Sequence, residues 1–311
     1  MISSGQHKHI LIYNGKGSDE ESRNMLYHSI DSVADKEKHV VSYITAQEIK
    51  EGVWDKTCQL IVFGGGYDRG FNEAVGQDGM SKIRDFVLAG GHYLGLCAGA
   101  YWACDHIEFD KTGPLEVVGE RFLKFFPGLC IGPAFPGFQY NSTIGARAVP
   151  VYYDKVGAFD TYMNGGGYFL PYLKQFKSNN VGQEFSTSLN PNLVMHSRQS
   201  LSSHSTPRMG SLHGPQHKNH STVLHNSWKA LGVYSSLENK PAAVVSCQMG
   251  KGTAILSGVH LEYPVKLLHK DDPHILQWLP VLSLSEEKRL FVFSDLLRQL
   301  GVIVRQCKAV L

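Results

Sequence analysis

The sequence predicts an α/β fold in which a doubly wound, mostly parallel β-sheet carries helices on both faces. In the first hundred residues, short apolar segments alternate with helical ones four times, which is the order of βαβ units. The 311 residues are also 42% hydrophobic and 19% charged, which provides enough apolar side chains for a substantial core. In such a sheet the functional residues gather at the carboxyl ends of the strands.

Capping residues and β-rich segments locate the individual elements of this region. Ser18 and Glu21 predict a capping box for a helix that runs towards Ile30, and Thr45 with Glu48 predicts the cap of a short second helix. Strands are predicted at HILIYN (9–14), HVVSYIT (39–45), CQLIVF (58–63) and HYLGLC (92–97), with a further helix at 79–89. Because neighbouring parallel strands end at one edge of a sheet, we expect the loops after the third and fourth strands to meet.

The rest of the chain mixes short strands with loops. Residues 113–192 are rich in glycine, proline and aromatic residues, a composition that predicts short strands and loops covering the sheet. Residues 242–263 predict a β-hairpin around a turn at 250–252, followed by a loop that begins at His260. An amphipathic helix over 285–300 is predicted to close the fold.

Residues 199–222 differ in composition from the rest of the chain. They contain no acidic and no aromatic residue, so they cannot contribute to a packed core. We therefore predict a disordered surface insertion at 199–222, within a single domain that spans residues 1–311. The histidines of this segment lack the cysteine or carboxylate neighbours that support metal sites, and we predict no metal.

Charge and cysteine usage restrict the classes of function. The net charge of +2 provides no basic surface for nucleic acid, and no apolar run is long enough to cross a membrane. The opening residues lack the apolar centre of a signal peptide, which predicts a cytoplasmic protein. The six cysteines have no paired spacing, so neither a disulfide framework nor a CxxC metal site is indicated. We expect a small-molecule or acyl substrate and no cofactor.

A cysteine stands at the end of the fourth predicted strand, in the sequence GLCAGAYWAC (95–104). Gly95 and Gly99 flank Cys97 at the spacing of the G-x-S-x-G turn, which in hydrolases holds a nucleophile between a strand and a helix. The positive end of the following helix favours a thiolate at this position. The alternative interpretation is a core thiol with a packing role alone.

A candidate base follows the predicted hairpin, in the sequence His260-Leu261-Glu262. The histidine can accept the thiol proton, and a carboxylate two residues away can orient its ring. The backbone N–H groups of Gly65 or Gly66, in FGGGYDRG after the third strand, can face the sulfur as an oxyanion hole requires. The alternative is that His260 and Glu262 are ordinary loop residues.

Several motifs together resemble a known family. GGGYD, GLCAGAYWA and GVHLEY, preceded by ILIYNGKGSDEES, resemble the glutamine amidotransferase-like superfamily, and most closely the amino-terminal domain of eukaryotic biotin-protein ligases. The resemblance covers nearly the whole chain except 199–222, and it implies a flavodoxin-like fold. The roles it implies are a catalytic triad of Cys97, His260 and Glu262, oxyanion donors at Gly65, Gly66 and Ala98, and a substrate pocket with Tyr67, Asp68 and Tyr101. The segment MNGGGYF (163–169) is also similar to the family, without an assigned role.

The chain departs from the family pattern at two points. Class I amidotransferases carry a glutamine four residues after the nucleophile, where this chain has Tyr101, so glutamine itself is a doubtful substrate. We also find no segment similar to the biotin-adenylate loop of the ligases, and we expect no biotinylation by this chain alone.

The sequence therefore predicts a cysteine-dependent, amidotransferase-like or hydrolase-like domain that acts on an amide or ester. A non-catalytic regulatory or binding domain related to biotin-protein ligase, with a ligase or synthetase partner, is the first alternative. A cysteine peptidase or stress-response relative is the second.

Overall fold

A computed structural model describes residues 7–172 and 227–305. All of these residues belong to one compact unit. The predicted insertion at 199–222 lies outside the described residues. None of the helices within these two ranges has the length and apolar character needed to cross a membrane.

Strands and helices alternate at the start of the chain, as predicted. The strands are β1 (Lys8–Tyr13), β2 (His39–Ile44), β3 (Cys58–Phe63), β4 (His92–Leu96), β5 (Cys104–Phe109), β6 (Val117–Glu120), β7 (Phe126–Gly132), β8 (Arg147–Tyr153), β9 (Gly157–Met163), β10 (Tyr168–Pro171), β11 (Trp228–Tyr234), β12 (Ala242–Met249) and β13 (Gly252–Ser257). The helices are α1 (Glu20–Val33), α2 (Ala46–Glu51), α3 (Asp68–Ala89), α4 (Ala98–Trp102), α5 (Pro273–Leu276) and α6 (Leu279–Gln299).

One sheet carries the whole fold, and its main path runs β2-β1-β3-β4-β13-β12-β10-β7-β5-β6. The strands from β2 to β13 in this path are parallel to one another, so their carboxyl ends share an edge. The hairpin of β12 and β13 is formed as predicted, and its second strand lies directly beside β4. This pairing brings the loop after β13 next to the turn after β4.

Helices cover both faces of the parallel strands, which confirms the doubly wound α/β prediction. On one face, Leu11 and Tyr13 of β1 pack with residues of α3 and α4. On the opposite face, Ile10 and Ile12 of the same strand pack with α1 and α6. The alternation follows from the period of two along a strand.

Some elements differ from their predictions. The cap of α1 is Asp19, whose carboxylate accepts the Ser22 N–H, and Ser18 lies outside the helix. The predicted capping box of Thr45 and Glu48 is present at α2.

The helix predicted at 79–89 begins earlier, at Asp68, and bends at Gly76, where the backbone is non-helical. The closing helix likewise begins before residue 285, at Leu279. Of the strands between 113 and 172, β10 and β7 lie within the main path of the sheet and β6 ends it, whereas β8 and β9 branch from it through β11.

Candidate active site

Cys97 lies in the sharp turn that joins β4 to α4. Its φ of 49° and ψ of −108° are unusual for a residue with a side chain. The backbone N–H of Cys97 donates to the Ser257 carbonyl at the end of β13, at 2.9 Å, and its carbonyl accepts the N–H groups of Ala100 and Tyr101. Strained backbone of this kind is found where a nucleophile is held above the end of a strand.

The two glycines of the turn allow close packing against neighbouring backbone. A Cβ atom at Gly99 would lie 2.1 Å from the Phe63 carbonyl oxygen of β3, and one at Gly95 would lie 2.5 Å from the Gly99 oxygen. Such approaches exclude any side chain. Gly95 and Gly99 therefore let α4 sit directly against the ends of β3 and β4.

His260 and Glu262 lie together in the loop after β13. The His260 Nδ1 and Glu262 Oε1 atoms are 2.7 Å apart, and the two residues are buried, at 4% and 0% exposed. The His260 side chain also forms a hydrogen bond with the Cys97 side chain, and both residues line one cavity. The structure thus brings together the three residues that the sequence selected.

Residues of α1 and α6 form hydrogen bonds with the main chain of this loop. The Ser29 hydroxyl of α1 donates to the Glu262 carbonyl at 2.6 Å. The buried guanidinium of Arg289 in α6 donates to the Leu261 carbonyl and pairs with Glu286. These contacts fix the main chain on both sides of the glutamate, so the carboxylate has little freedom to leave the imidazole. The sequence motifs around the loop include neither Ser29 nor Arg289, because both residues come from distant parts of the chain.

The proton affinity of His260 is shaped by its neighbours. Burial lowers the pKa of the His260 imidazole, but the Glu262 carboxylate and the Cys97 sulfur raise it, to about 10 in total. The imidazole therefore keeps its proton at neutral pH. A protonated imidazole beside a sulfur stabilises the thiolate form.

The other described cysteines lie in the core, and burial governs their chemistry. Burial raises the pKa of the Cys58, Cys104 and Cys247 thiols. Cys130 is also buried. Cys97 lines the cavity that His260 also lines, whereas Cys58 borders a separate cavity of about 480 Å³ whose lining includes no histidine.

The glycine loop after β3 contacts the histidine and offers a backbone donor. The Gly65 N–H donates to the buried Ser22 hydroxyl at 2.8 Å, so it is not free to bind an oxyanion. Within the described residues, no hydrogen bond occupies the Gly66 N–H or the Ala98 N–H, and both residues border the same small space as Cys97. The geometry favours Gly66 and Ala98 over Gly65 as donors.

A cavity of about 730 Å³ opens beside Cys97 and His260. Its walls come from the start of α1, the glycine loop after β3, the loop at 138–143 and the end of β9. This volume suits a small molecule or a segment of one.

The three predicted pocket residues have different places. Tyr67 lines the large cavity and is 43% exposed. Asp68 is buried, pairs with Arg121 at 2.5 Å and borders an adjoining cavity. Tyr101 is also buried, and its hydroxyl donates to the Gly165 carbonyl at 3.1 Å. Tyr101 does not line the large cavity, but together with Tyr67 and Asp68 it borders the small space beside Cys97.

The segment MNGGGYF (163–169) runs past the nucleophile. The Asn164 carbonyl lies 3.8 Å from the Cys97 sulfur, and its amide lines the cavity and donates to Ser142. A Cβ atom at Gly166 would lie 1.7 Å from the Gly258 carbonyl oxygen, and one at Gly258 would lie 1.8 Å from the Gly167 carbonyl oxygen, so neither position has room for a side chain. This segment forms part of the site, and only the family resemblance could have indicated it.

The fold and site define an α/β protein in which a cysteine, a histidine and a glutamate meet at the carboxyl edge of the parallel strands. A family model described as "Biotin-protein ligase, N terminal" matches residues 8–202 and 211–310. The chain belongs to this family, which confirms the resemblance to the amino-terminal domain of the ligases.

Individual relatives show how the chain compares with longer proteins. The biotin–protein ligase of Schizosaccharomyces pombe is 29% identical over 302 residues, which cover 95% of this chain and 38% of the ligase. An uncharacterized protein of Chlamydia muridarum is 30% identical over 217 residues, with coverage of 69% and 64%. The chain thus spans less than two thirds of the length of these relatives. A solved glutamine amidotransferase is 12% identical over 94% of this chain and 99% of its own, with a TM-score of 0.48.

Proposed function

We propose that the chain is a cysteine-dependent hydrolase or acyl transferase that acts on an amide or ester, with Cys97 as nucleophile. The observation that carries the proposal is the position of Cys97, in a strained turn beside a cavity, with the buried His260–Glu262 pair against its sulfur. A core thiol with a packing role alone has no need of this arrangement.

The first half of the proposed reaction forms an acyl-enzyme. The Cys97 thiolate attacks the carbonyl carbon, a C–S bond forms, and the carbonyl electron pair moves onto the oxygen. The Gly66 and Ala98 N–H groups donate to this oxyanion. When the oxyanion collapses, the C–N or C–O bond of the substrate breaks, and the His260 imidazolium gives its proton to the leaving group.

The second half releases the acid and restores the enzyme. A water molecule attacks the thioester carbon, and neutral His260 takes the water's proton. The C–S bond breaks, Cys97 leaves as a thiolate, and the acyl group departs as a carboxylic acid. If an amine replaces the water, the same steps transfer the acyl group. Throughout, Glu262 holds the ring orientation and stabilises its charged form.

The test is capture of the acyl-enzyme. Purified protein is mixed with activated esters and amides of small acids, quenched in acid, and examined by intact-mass and peptide mass spectrometry. We expect an acyl adduct on Cys97 with at least one ester, product release at a matching rate, and neither in Cys97→Ala. A folded protein that forms no adduct with any ester or amide would contradict the proposal.

A second candidate is a regulatory domain that binds a metabolite and docks on a ligase or synthetase. The observation in its favour is that the aligned region makes up 38% of the S. pombe ligase, so a relative of this chain is joined to a longer partner sequence. This candidate predicts no acyl adduct, together with unchanged ligand binding in Cys97→Ala.

A further inference from the structure

The large cavity beside Cys97 has an acidic wall. Asp19, Glu20 and Glu21, at the start of α1, line one side of it. No lysine or arginine belongs to its lining among the residues that the structure describes. His260 is the basic group of the wall, and Glu262 pairs with it. The carboxylates at the start of α1 therefore give the cavity a negative potential.

Aromatic rings line the same cavity. The rings of Tyr162 and Tyr263 are stacked, with centroids 4.9 Å apart and planes 8° apart, and both flank the His260 imidazole. Tyr67, Tyr140 and Phe138 lie on other parts of the lining. The face of an aromatic ring attracts a cation within about 6 Å, and nearby carboxylates add to that attraction.

Positive side chains near the cavity are placed outside its lining. Arg69 lines an adjoining cavity of about 420 Å³, where Asp68 and Glu116 also lie. Arg23 donates to the Ser18 hydroxyl at 3.4 Å, but it does not line the large cavity. A substrate carboxylate in the large cavity would thus face acidic side chains, and the one cationic group in the described lining, the His260 imidazolium, is already paired with Glu262.

We infer that the substrate of this site carries an ammonium group and no carboxylate beside it, so that the reaction acts on an amide or ester of an amino-bearing acid. The acyl carbon reaches Cys97, and the ammonium group lies between the aromatic rings and the carboxylates of Glu20 and Glu21. The inference rests on the proposed function. Free glutamine carries a carboxylate beside its ammonium group, so it fits this acidic wall poorly.

The test uses three thiol-directed probes that differ in one terminal group. These are the N-(4-aminobutyl), N-pentyl and N-(3-carboxypropyl) derivatives of 2-chloroacetamide, which end in an ammonium, a methyl and a carboxylate. The rate of Cys97 modification is measured by peptide mass spectrometry at pH 7 and divided by the rate with N-acetylcysteine. We expect the ammonium probe to react about 10-fold faster than the carboxylate probe at low salt, with a smaller ratio at 0.5 M salt because exposed charges are screened.

Matched variants locate the source of the preference. Glu20→Gln combined with Glu21→Gln should bring the rate ratio close to one. Glu287→Gln, which removes an exposed charge from α6 outside the cavity, should leave the ratio unchanged. Equal normalised rates for the three probes, or a faster carboxylate probe, overturn the inference while leaving Cys97 established as a reactive thiol.

A binding measurement separates this inference from the proposed function. If no probe modifies Cys97 in folded protein, the proposed function fails. The charge preference of the cavity is then measured by calorimetric titration of Cys97→Ala, which compares the affinity for pentylammonium with the affinity for pentanoate. Tighter binding of pentylammonium, lost in the protein that also carries Glu20→Gln and Glu21→Gln, supports the inference, and equal or absent binding of the two ions overturns it.

Discussion

Replacement of Glu262 by glutamine tests how far the carboxylate activates the site. The change keeps the size of the side chain and removes its charge. The bond from His260 Nδ1 to Glu262 Oε1 is 2.7 Å long and fully buried. A hydrogen bond to a charged group is worth about 1.5–3 kcal/mol and a neutral one about 1 kcal/mol, so the imidazolium loses roughly 0.5–2 kcal/mol of stabilisation.

This loss converts into a rate that can be measured. Since about 1.4 kcal/mol corresponds to a factor of ten, the equilibrium constant for the ion pair of Cys97 and His260 falls about 2- to 30-fold. We expect the pseudo-first-order rate of Cys97 modification by iodoacetamide at pH 7 to fall by up to this factor. The pKa of the His260 imidazole, followed by NMR, should fall as well, because the Glu262 charge is one of its main causes.

Controls separate this effect from unfolding. The second oxygen of Glu262 has no hydrogen-bond partner in the described ranges, so a glutamine amide group there lacks an acceptor and lowers stability. The rates are therefore compared well below the melting temperature of the variant, with Glu287→Gln as a surface control of equal charge change. An unchanged Cys97 rate and an unchanged His260 titration in folded Glu262→Gln would refute the reasoning.

Three further predictions concern the packing around the site and the stability of the fold. Gly99→Ala should lower the free energy of unfolding by about 1–3 kcal/mol or more in thermal or denaturant melts, because its Cβ atom meets the Phe63 carbonyl at 2.1 Å. Tyr101→Phe should lower the free energy of unfolding by about 1 kcal/mol, because it loses the hydrogen bond to Gly165. Tyr101→Gln should not confer glutamine hydrolysis, since this side chain lies in the core. Glutamate release by Tyr101→Gln but not by the unaltered protein would contradict that expectation. Burial lowers the pKa of His39, whose Nε2 accepts a backbone N–H, so the stability it contributes is present above its unfolded pKa of about 6.5 and is lost as pH falls below that value. His39→Gln should flatten this acid-side slope in melts from pH 7.5 to 5, and an unchanged slope would exclude His39 as its cause.

The parallel half of the fold could be predicted because local signals agree there with the final packing. The segments that form β1, β3 and β4 are mostly apolar, and Thr45 with Glu48 provides an unambiguous cap. The start of α1 was misplaced by one residue because Ser18 and Asp19 are both good caps, and only the fold decides between them. The first part of α3 was missed because its glycines weaken the helical pattern.

The candidate site shows the same division. The pattern GLCAG followed by a distant His-x-Glu predicts its residues, because a nucleophile at a strand end requires a base at a neighbouring one. The direction of a side chain or an amide depends on contacts between distant segments. The sequence could therefore not show that the Gly65 N–H donates to the Ser22 hydroxyl, or that the buried Tyr101 hydroxyl donates to the Gly165 carbonyl. The residues that hold the loop, Ser29 and Arg289, are invisible for the same reason.

The central claim is that Cys97 is an activated nucleophile held against His260. The most direct measurement is site-resolved alkylation, in which the intact protein reacts with a substoichiometric amount of iodoacetamide at pH 7 and each cysteine peptide is quantified. We predict that Cys97 is modified before Cys58, Cys104 and Cys247, and that His260→Gln abolishes this early reactivity. First labelling of a core cysteine, or an unchanged Cys97 rate in folded His260→Gln, would contradict it.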